Sequence, residues 1–471
     1  MPRPPNILLF LTDDHGAWAT GCYGNREVQS PVLDRLAQEG VRFADAFAPS
    51  PVCSPARACL LTGRTPSQVG IHDWIEEALP EFGDYDWLAD EVTLAELLHD
   101  AGYVCGLSGK WHLGRSHATP RGYDWCFGLP RWQGEHIEEY TYHLDGQLLT
   151  LAGNKTHLIT DYALRFLDQT SPEQPFFLHV GYIATHSPYG NQEPDMVARY
   201  QDARFDDIPP YVPHPWHKNE GLPRSAATDP AALRSRYASY YAAVTDIDRN
   251  VGRLLDRLHE QGRLDDTLVV YTSDHGLTLG HHGFWGKGNS TRPLNMYETS
   301  LRVPLLARWP MELPAGHVVR RCVDHYDTFR AICDWAGADG GRSGARRQGP
   351  GRSYRRLARG EAGVPWNDTR FGEYGDLRMI RSPRHKLVKR YPGGPDDLFD
   401  LQADPAETQN LAGEAEYAAL IATLTAELES FYAQYEDPAK SGLRVKELRQ
   451  HNRSSEAWRN GLREARGLQI Y

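Results

Sequence analysis

The chain has 471 residues, a formal net charge of −11 and 40% hydrophobic residues, a composition typical of soluble globular proteins. The acidic balance argues against general binding to nucleic acids or anionic membranes, because both attract basic proteins. Any anion that the protein binds must therefore be held by a local cluster of positive groups.

The first residues predict neither a secretion signal nor a membrane anchor. The apolar run 7–11 is followed at once by two carboxylates, so it is too short for the apolar region of a signal peptide. No later run has the length of a membrane span. The 7 cysteines lack metal-finger spacing and are consistent with reduced thiols. We therefore expect a cytoplasmic protein, unless a leader has been removed.

The apolar run 7–11 also predicts a strand buried on both faces of a parallel sheet. Asp13 and Asp14 follow this strand, and open α/β sheets place ligands at the carboxyl ends of their strands. Two adjacent carboxylates repel each other unless a cation or protons intervene. The pair is therefore either part of a metal site or a solvated turn before a helix.

The segment 49–64 reads Pro-Ser-Pro-Val-Cys-Ser-Pro-Ala-Arg-Ala-Cys-Leu-Leu-Thr-Gly-Arg and predicts a short helix with Ser54 as its N-cap and Gly63 at its end. Cys53 then lies at a helix N-terminus, where free N–H groups and the helix dipole favour an anion. Arg57, about one turn later, can reach back to the same place. Cys53 is a candidate nucleophile, or else a small buried residue of a capping turn.

Two further predicted strands lead to candidate site residues. Residues 103–107 form a strand that leads to Lys110 and His112, and residues 176–182 form a buried strand that is followed by His186. Parallel strands end at the same edge of a sheet. We therefore expect these side chains to lie beside the two aspartates.

The segment 233–262 has apolar residues at helical spacing and predicts the longest helix. After it, residues 267–272 predict a buried strand that leads to Asp274 and His275, with Lys287 a short loop away. These three side chains add a carboxylate, an imidazole and an amine to the same edge of the sheet.

The segment 188–230 contains many prolines and histidines and little periodicity. Such a long loop in a compact domain is usually functional, and we expect it to wall a substrate pocket. The aromatic and basic residues that could line this pocket are Trp74, His214, Trp216, His217, His282, Arg292 and Arg378. These residue types suggest a polar ligand such as a carbohydrate.

Several segments resemble the type I sulfatases of the alkaline phosphatase-like superfamily. The residues 53–57 and 60–64 closely resemble the signature of that family, and Asp-Asp-His-Gly at 13–16 resembles its beginning. The stretch 102–112 resembles the second signature, although Cys105 stands where that signature usually has Ser or Thr. The resemblance covers nearly the whole chain.

This resemblance implies an enzyme that hydrolyses a sulfate monoester of a sugar or of another small organic alcohol. It implies that a formylglycine-generating enzyme oxidises Cys53 to formylglycine, whose hydrate is the nucleophile. The metal ligands that it implies are Asp13, Asp14, Asp274, His275 and Cys53. Oxygen ligands favour Ca²⁺, with Mn²⁺ or Mg²⁺ as alternatives.

The remaining candidates receive roles by the same resemblance and by the needs of the reaction. Lys110 and Lys287 supply positive charge to the ester oxygens, and Arg57 holds the hydrated aldehyde. His112 helps to remove the proton from that hydrate. His186 is the preferred proton donor to the leaving alcohol, with Lys287 as the second choice.

The predicted elements and the resemblance together give an α/β fold. A large, mostly parallel sheet flanked by helices occupies residues 1–340, and residues 364–471 form a smaller C-terminal subdomain. Short strands between 370 and 401, joined by tight turns, predict a small antiparallel sheet there, and residues 415–435 predict a helix packed on it.

Two alternatives remain open at this point. The first is a hydrolase of phosphonates or of phosphate mono- or diesters on the same scaffold. The second is a catalytically inactive homologue that binds an anion.

Overall fold

The structure, a computed structural model, describes residues 4–131, 139–187, 189, 192–216, 229–338, 349–454 and 457. The strands of its large sheet are β1 (Asn6–Thr12), β2 (Val41–Phe47), β3 (Val104–Gly109), β4 (Trp125–Gly128), β5 (Glu139–Leu144), β6 (Gln147–Ala152), β7 (Phe176–Gly181), β8 (Thr267–Ser273), β11 (Arg302–Val303), β12 (Leu305–Arg308) and β13 (His317–Asp324). A separate two-stranded ribbon pairs β9 (Thr278–Leu279) with β10 (Trp285–Gly286).

The large sheet has the strand order β11-β2-β12-β8-β1-β7-β3-β4-β5-β6, and β13 pairs with β2. The central run β8-β1-β7-β3-β4 is parallel, whereas β12, β5 and β6 pair antiparallel with their neighbours. The predicted mostly parallel sheet is therefore confirmed. Its parallel centre brings the ends of five strands from distant parts of the chain to one edge.

In the described residues, the α-helices are α1 (Pro31–Glu39), α2 (Cys53–Thr62), α3 (Pro66–Val69), α4 (Pro80–Gly83), α5 (Leu94–Asp100), α6 (Lys155–Gln169), α7 (Pro194–Ala198), α8 (Pro230–Glu260), α9 (Glu298–Leu301), α10 (His325–Ala336), α11 (Arg355–Ala358) and α12 (Ala418–Gln434). None of them is long and apolar enough to cross a bilayer.

Helices cover both faces of the large sheet because β1 alternates its side chains between two apolar layers. Ile7 and Leu9 belong to the layer that α2, α5 and α10 cover. Leu8 and Phe10 belong to the layer that α6 and α8 cover. All of these β1 side chains are buried, as the continuous apolar run predicts.

The C-terminal part contains a second sheet with strands β14 (Arg370–Tyr374), β15 (Leu377–Arg381), β16 (His385–Arg390) and β17 (Asp397–Asp400). Neighbouring strands are antiparallel in that order, and helix α12 packs on β15 and β16. The predicted small antiparallel sheet with a packed helix is confirmed. The division of the chain into domains at 1–340 and 364–471 stays a prediction.

The packing of α12 leads to a stability prediction. Leu428 is fully buried in one apolar cluster with Ile380 and Leu387 of the small sheet. We expect Leu428→Ala to lower the free energy of unfolding by about 2–5 kcal/mol, because the truncation leaves a cavity. Urea unfolding measures this change. The exposed neighbour Glu427 serves as the control, since Glu427→Ala should change stability by less than about 0.5 kcal/mol. Equal effects would contradict the packing.

Candidate active site

The ends of three neighbouring strands are joined directly by backbone hydrogen bonds. Asp274 N donates to the carbonyl of Thr12 at 3.0 Å, and Thr185 N donates to the carbonyl of Asp13 at 2.7 Å. The aspartates that follow β1 and β8 therefore lie side by side, as the strand ends predict. Two hydroxyls also fix the carbonyl of Asp14, those of Thr185 at 2.9 Å and Tyr240 at 2.8 Å.

Helix α2 begins at Cys53, beside these aspartates. Its N-cap is Val52 in an extended conformation, and Gly63 ends the helix with φ 69°. The prediction that Ser54 is the N-cap is wrong, because this side chain lies inside the first turn and accepts a hydrogen bond from Ile75 N at 3.0 Å. The predicted position of Cys53 at the helix N-terminus is confirmed.

Arg57 lies one turn along α2 and is fully buried. Its Nε donates to Asp274 Oδ2 at 2.8 Å, and one terminal nitrogen donates to the carbonyl of Lys110 at 3.0 Å. A buried carboxylate requires such a charged partner. Arg57 therefore joins helix α2 to the ends of β3 and β8.

Two buried lysines pair with the other two aspartates. Lys110 donates to Asp13 Oδ2, and Lys287 Nζ donates to Asp14 Oδ1 at 2.7 Å. Burial alone would lower the pKa of each lysine, but Asp13 and Asp14 outweigh it and raise both pKa values. Conversely, burial would raise the pKa of the two carboxyls, but the lysines lower it. All four groups are therefore charged at neutral pH.

The cysteine thiol lies within this charged cluster. Lys287 Nζ is 3.8 Å from Cys53 Sγ and 3.2 Å from His275 Nε2. Ligand atoms of Asp13, Cys53 and His275 all lie within 4.8 Å of one another. The residue at position 53 is thus in direct reach of both the positive charge and the carboxylates.

The cluster also fits a divalent cation. Asp13 Oδ1 is buried and has no hydrogen-bond partner among the described residues, which is unusual for a carboxylate oxygen. His275 Nε2 lies 3.6 Å from Asp274 Oδ1 and 3.8 Å from Asp13 Oδ1, and its Nδ1 lies 3.4 Å from Asp14 Oδ1. Three carboxylates and one imidazole form a mostly hard donor set, which suits Ca²⁺, Mg²⁺ or Mn²⁺. The individual ligand assignments stay predictions.

His112 is held as a neutral base. Its Nε2 lies 2.8 Å from the carbonyl of Ile75, so Nε2 carries the proton and Nδ1 keeps a lone pair. Nδ1 is buried and has no hydrogen-bond partner among the described residues. Burial and the charge of Lys110 lower the pKa of His112 to about 3. The ring is therefore neutral at pH 7, and its free lone pair is on Nδ1.

His186 follows β7 and is only partly buried. Its Nδ1 lies 2.7 Å from the carbonyl of Ser187. Ligand atoms of Asp13, Asp14 and His186 lie within 4.8 Å of one another. The structure therefore brings all ten sequence-predicted site residues to one edge of the sheet.

A pocket of about 390 Å³ opens over this edge. Its lining residues are Cys53, Trp74, Ile75, Glu76, Glu77, Ala78, Lys110, Trp111, His112, Leu129, Arg131, Ile183, His186, Lys287, Asn289 and Ser454. Sequence reasoning missed Glu76, Glu77, Arg131, Asn289 and Ser454. Trp111 stands between two predicted site residues and could have been found from that position.

The prediction for the loop 188–230 is wrong for its described part, because no described residue of this loop lines the pocket. His214 and Trp216 line a separate pocket with His282. The reason is that His214 N donates to the carbonyl of Gly283 at 2.9 Å, which holds this part of the loop against the segment after β9.

Of the other predicted lining residues that the structure describes, only Trp74 lines the active-site pocket. Arg378 is buried in ion pairs with Glu373 and Glu436. Arg292 N donates to the carbonyl of Trp216 at 2.8 Å, and Arg292 is not among the lining residues of the active-site pocket. His217 lies outside the described residues.

The parallel sheet carries a charged site at its carboxyl edge, with a helix N-terminus beside it, at the position where open α/β sheets bind ligands. Residues 5–338 match the family model described as Sulfatase. Residues 280–434 match the model described as N-sulphoglucosamine sulphohydrolase, C-terminal. The chain belongs to the sulfatase family and is a sulfuric ester hydrolase.

Two curated relatives illustrate this similarity. The chain is 27% identical to an N-acetylglucosamine-6-O-sulfatase of Bacteroides thetaiotaomicron, over 92% of this chain and 87% of the relative. It is 31% identical to the N-acetylgalactosamine-6-sulfatase of Canis lupus familiaris, over 71% of this chain and 63% of the relative.

Solved structures show the same fold. A protein in complex with its substrate D-glucosamine-2-N,6-O-disulfate has a TM-score of 0.75 and 26% identity, over 93% of this chain and 99% of that one. A phosphonate monoester hydrolase of Agrobacterium radiobacter has a TM-score of 0.72 and 22% identity, over 92% of this chain and 96% of that one. The second likeness concerns the fold alone.

Proposed function

We propose that the protein hydrolyses a sulfate monoester of a sugar, with a formylglycine made from Cys53 as the attacking residue and with a divalent metal. The observation that carries this proposal is the cluster of Cys53, Asp13 and His275, whose ligand atoms lie within 4.8 Å of one another. The proposed attacking residue thus lies next to the proposed cation site. Support for a sugar comes from the sulfated glucosamine and galactosamine named for the relatives.

Positive charge is the first requirement of the reaction, because negative charge builds up on the ester oxygens. Lys110 and Lys287 line the pocket floor and supply it. A bound divalent ion, with Ca²⁺ as the preferred choice, adds Lewis acidity. The residues proposed to hold it are Asp13, Asp14, Asp274, His275 and the modified Cys53.

Proton transfer is the second requirement. A formylglycine-generating enzyme first converts the Cys53 side chain to an aldehyde, which takes up water. One hydroxyl of the hydrated side chain at position 53 attacks sulfur and loses its proton to water, while the bond between sulfur and the ester oxygen breaks and His186 donates a proton to the leaving alcohol. In a second step, His112 accepts the proton of the other hydroxyl through Nδ1, the bond between carbon and the sulfate oxygen breaks, and sulfate leaves as the aldehyde reforms. Arg57 keeps residue 53 in place.

Paired rates on different esters test this proposal. We expect kcat/KM for N-acetylglucosamine 6-sulfate and 4-nitrophenyl sulfate to exceed that for the matching phosphate monoester, phosphate diester and phosphonate by at least about tenfold. The sample should first be shown by mass spectrometry to carry the modification. A preference of several decades for phosphorus esters would establish the alternative hydrolase. No turnover by modified protein would establish an inactive anion-binding homologue.

A further inference from the structure

Glu77 places a carboxylate in the wall of the active-site pocket. Its Oε1 accepts hydrogen bonds from Gly114 N at 3.1 Å and from Ser116 Oγ at 2.6 Å, which hold the side chain in one position. Among the described residues, no donor bonds its Oε2 and no cation forms an ion pair with it. The carboxylate of Glu77 is thus held in the pocket wall without a cationic partner among the described residues.

The neighbouring carboxylate of Glu76 is already committed to Arg453. Its Oε1 accepts from Arg453 Nε at 3.0 Å and from a terminal nitrogen at 2.6 Å, and its Oε2 accepts from Arg453 N at 2.9 Å. Both residues line the pocket, but Glu77 alone of the two keeps an oxygen for another donor.

Glu77 is also tied to the reacting end of the pocket. The carbonyl of Ile75 holds His112 Nε2 at 2.8 Å, and Glu77 Oε1 holds the amide of Gly114. Two hydrogen bonds therefore join the segments 75–77 and 112–114. This connection fixes the carboxylate relative to the proposed base, so that Glu77 can act on the part of the substrate next to the ester.

The charges of the pocket favour one kind of substrate. Lys110 and Lys287 bring cationic groups to one end of the pocket, where the sulfate binds under the proposed function. The carboxylate of Glu77 favours hydrogen-bond donors at its own position and repels a second anion there. Trp74 adds an aromatic surface to the wall.

We propose that Glu77 is a specificity-determining residue that accepts a hydrogen bond from a hydroxyl or ammonium group of the alcohol part of the substrate. The substrate class is then a hexose or hexosamine monosulfate with a free donor near the ester. Sugars with a carboxylate or a second sulfate at that position are disfavoured. This inference rests on the proposed function and names the substrate class of the same site.

The variant Glu77→Gln tests the inference, because glutamine keeps Oε1 as an acceptor for Gly114 and Ser116 but removes the charge. We expect kcat/KM for N-acetylglucosamine 6-sulfate to fall by about 10- to 100-fold, the usual loss for a hydrogen bond to a charged group. The rate on 4-nitrophenyl sulfate, which has no hydroxyl, should stay within about threefold of the wild-type rate. The variant Glu81→Gln, at an exposed position, should leave both rates unchanged.

Glucosamine 6-sulfate, with a free amine, separates the two donors. A loss larger than that for the N-acetyl sugar identifies an ammonium partner, and an equal loss identifies a hydroxyl. Equal losses on sugar and aryl sulfate in Glu77→Gln would overturn the inference, because they would reveal only a displaced His112 loop. Unchanged rates on both glucosamine 6-sulfate and its N-acetyl form would overturn it as well. Failure of the wild-type protein on every sulfate ester would instead reject the proposed function.

Discussion

Replacing Cys53 with alanine or serine is expected to lower kcat/KM for a sulfate ester by at least about a thousandfold, the scale of loss when an attacking residue is removed. Alanine cannot give the aldehyde that the proposed mechanism requires, and serine lacks the thiol that the proposed maturation step oxidises. The fold should be retained, because α2 begins through its backbone at Val52 and the small thiol makes only a long contact, at 3.8 Å, with Lys287 Nζ. Urea unfolding and steady-state kinetics on the same samples check both parts.

Cys59 provides a matched control for this substitution. It lies on the same helix, is fully buried, and contacts Tyr326 OH at 3.7 Å instead of the pocket. Cys59→Ala should keep nearly wild-type turnover. Intact mass provides a second check, because conversion of the Cys53 thiol to an aldehyde lowers the mass by about 18 Da. Near-normal hydrolysis by Cys53→Ala would remove residue 53 from the mechanism.

The parts of the site that lie at strand ends could be predicted from the sequence. The runs 7–11 and 267–272 are apolar without interruption, and this pattern alone predicts buried parallel strands. Because such strands end at one edge, the sequence predicts Asp13, Asp14 and Asp274 at that edge. Their closeness also depends on the pairing of β1 with β8, which the sequence pattern does not show.

The pocket wall could not be predicted in the same way. Glu76 is paired with Arg453, which lies 377 positions away in the chain. No periodic pattern in either segment predicts this contact. The loop after α7 is a second example. Its composition suggested that it lines a pocket, but not which of the pockets it lines. The position of His214 is fixed by a backbone hydrogen bond to Gly283. Nearly every residue can form such a bond, so the residue types do not reveal which segment the loop contacts.

The N-cap of α2 was mispredicted for a related reason. Ser54 is a favourable N-cap residue by local preference, yet its hydroxyl oxygen accepts from Ile75 N. That contact connects the start of α2 to the segment around Ile75. The carbonyl of Ile75 in turn binds His112. A tertiary contact in the site thus prevails over a local capping preference.

The second large effect is expected from Asp13→Asn. Each of the three aspartates already has one cationic partner: Lys110 for Asp13, Lys287 for Asp14 and Arg57 for Asp274. Asp13 is the one whose other oxygen is buried without a partner among the described residues, so it is the strongest candidate ligand. We expect the substitution to lower kcat/KM by at least about 100-fold, in the range known for disturbed metal sites.

Metal binding can be measured apart from turnover, which keeps this prediction separate from a loss of stability. An ion that binds only the folded state stabilises it by about 2.7 kcal/mol at 100 times its Kd. The Tm of the chelator-treated wild-type protein should therefore rise on addition of CaCl₂. Asp13→Asn should lose this rise, and the exposed control Asp266→Asn should keep it. An Asp13→Asn protein whose Tm rises as far as that of the wild type would exclude Asp13 from the ligands, because the loss of one carboxylate charge from the ligand set should weaken Ca²⁺ binding.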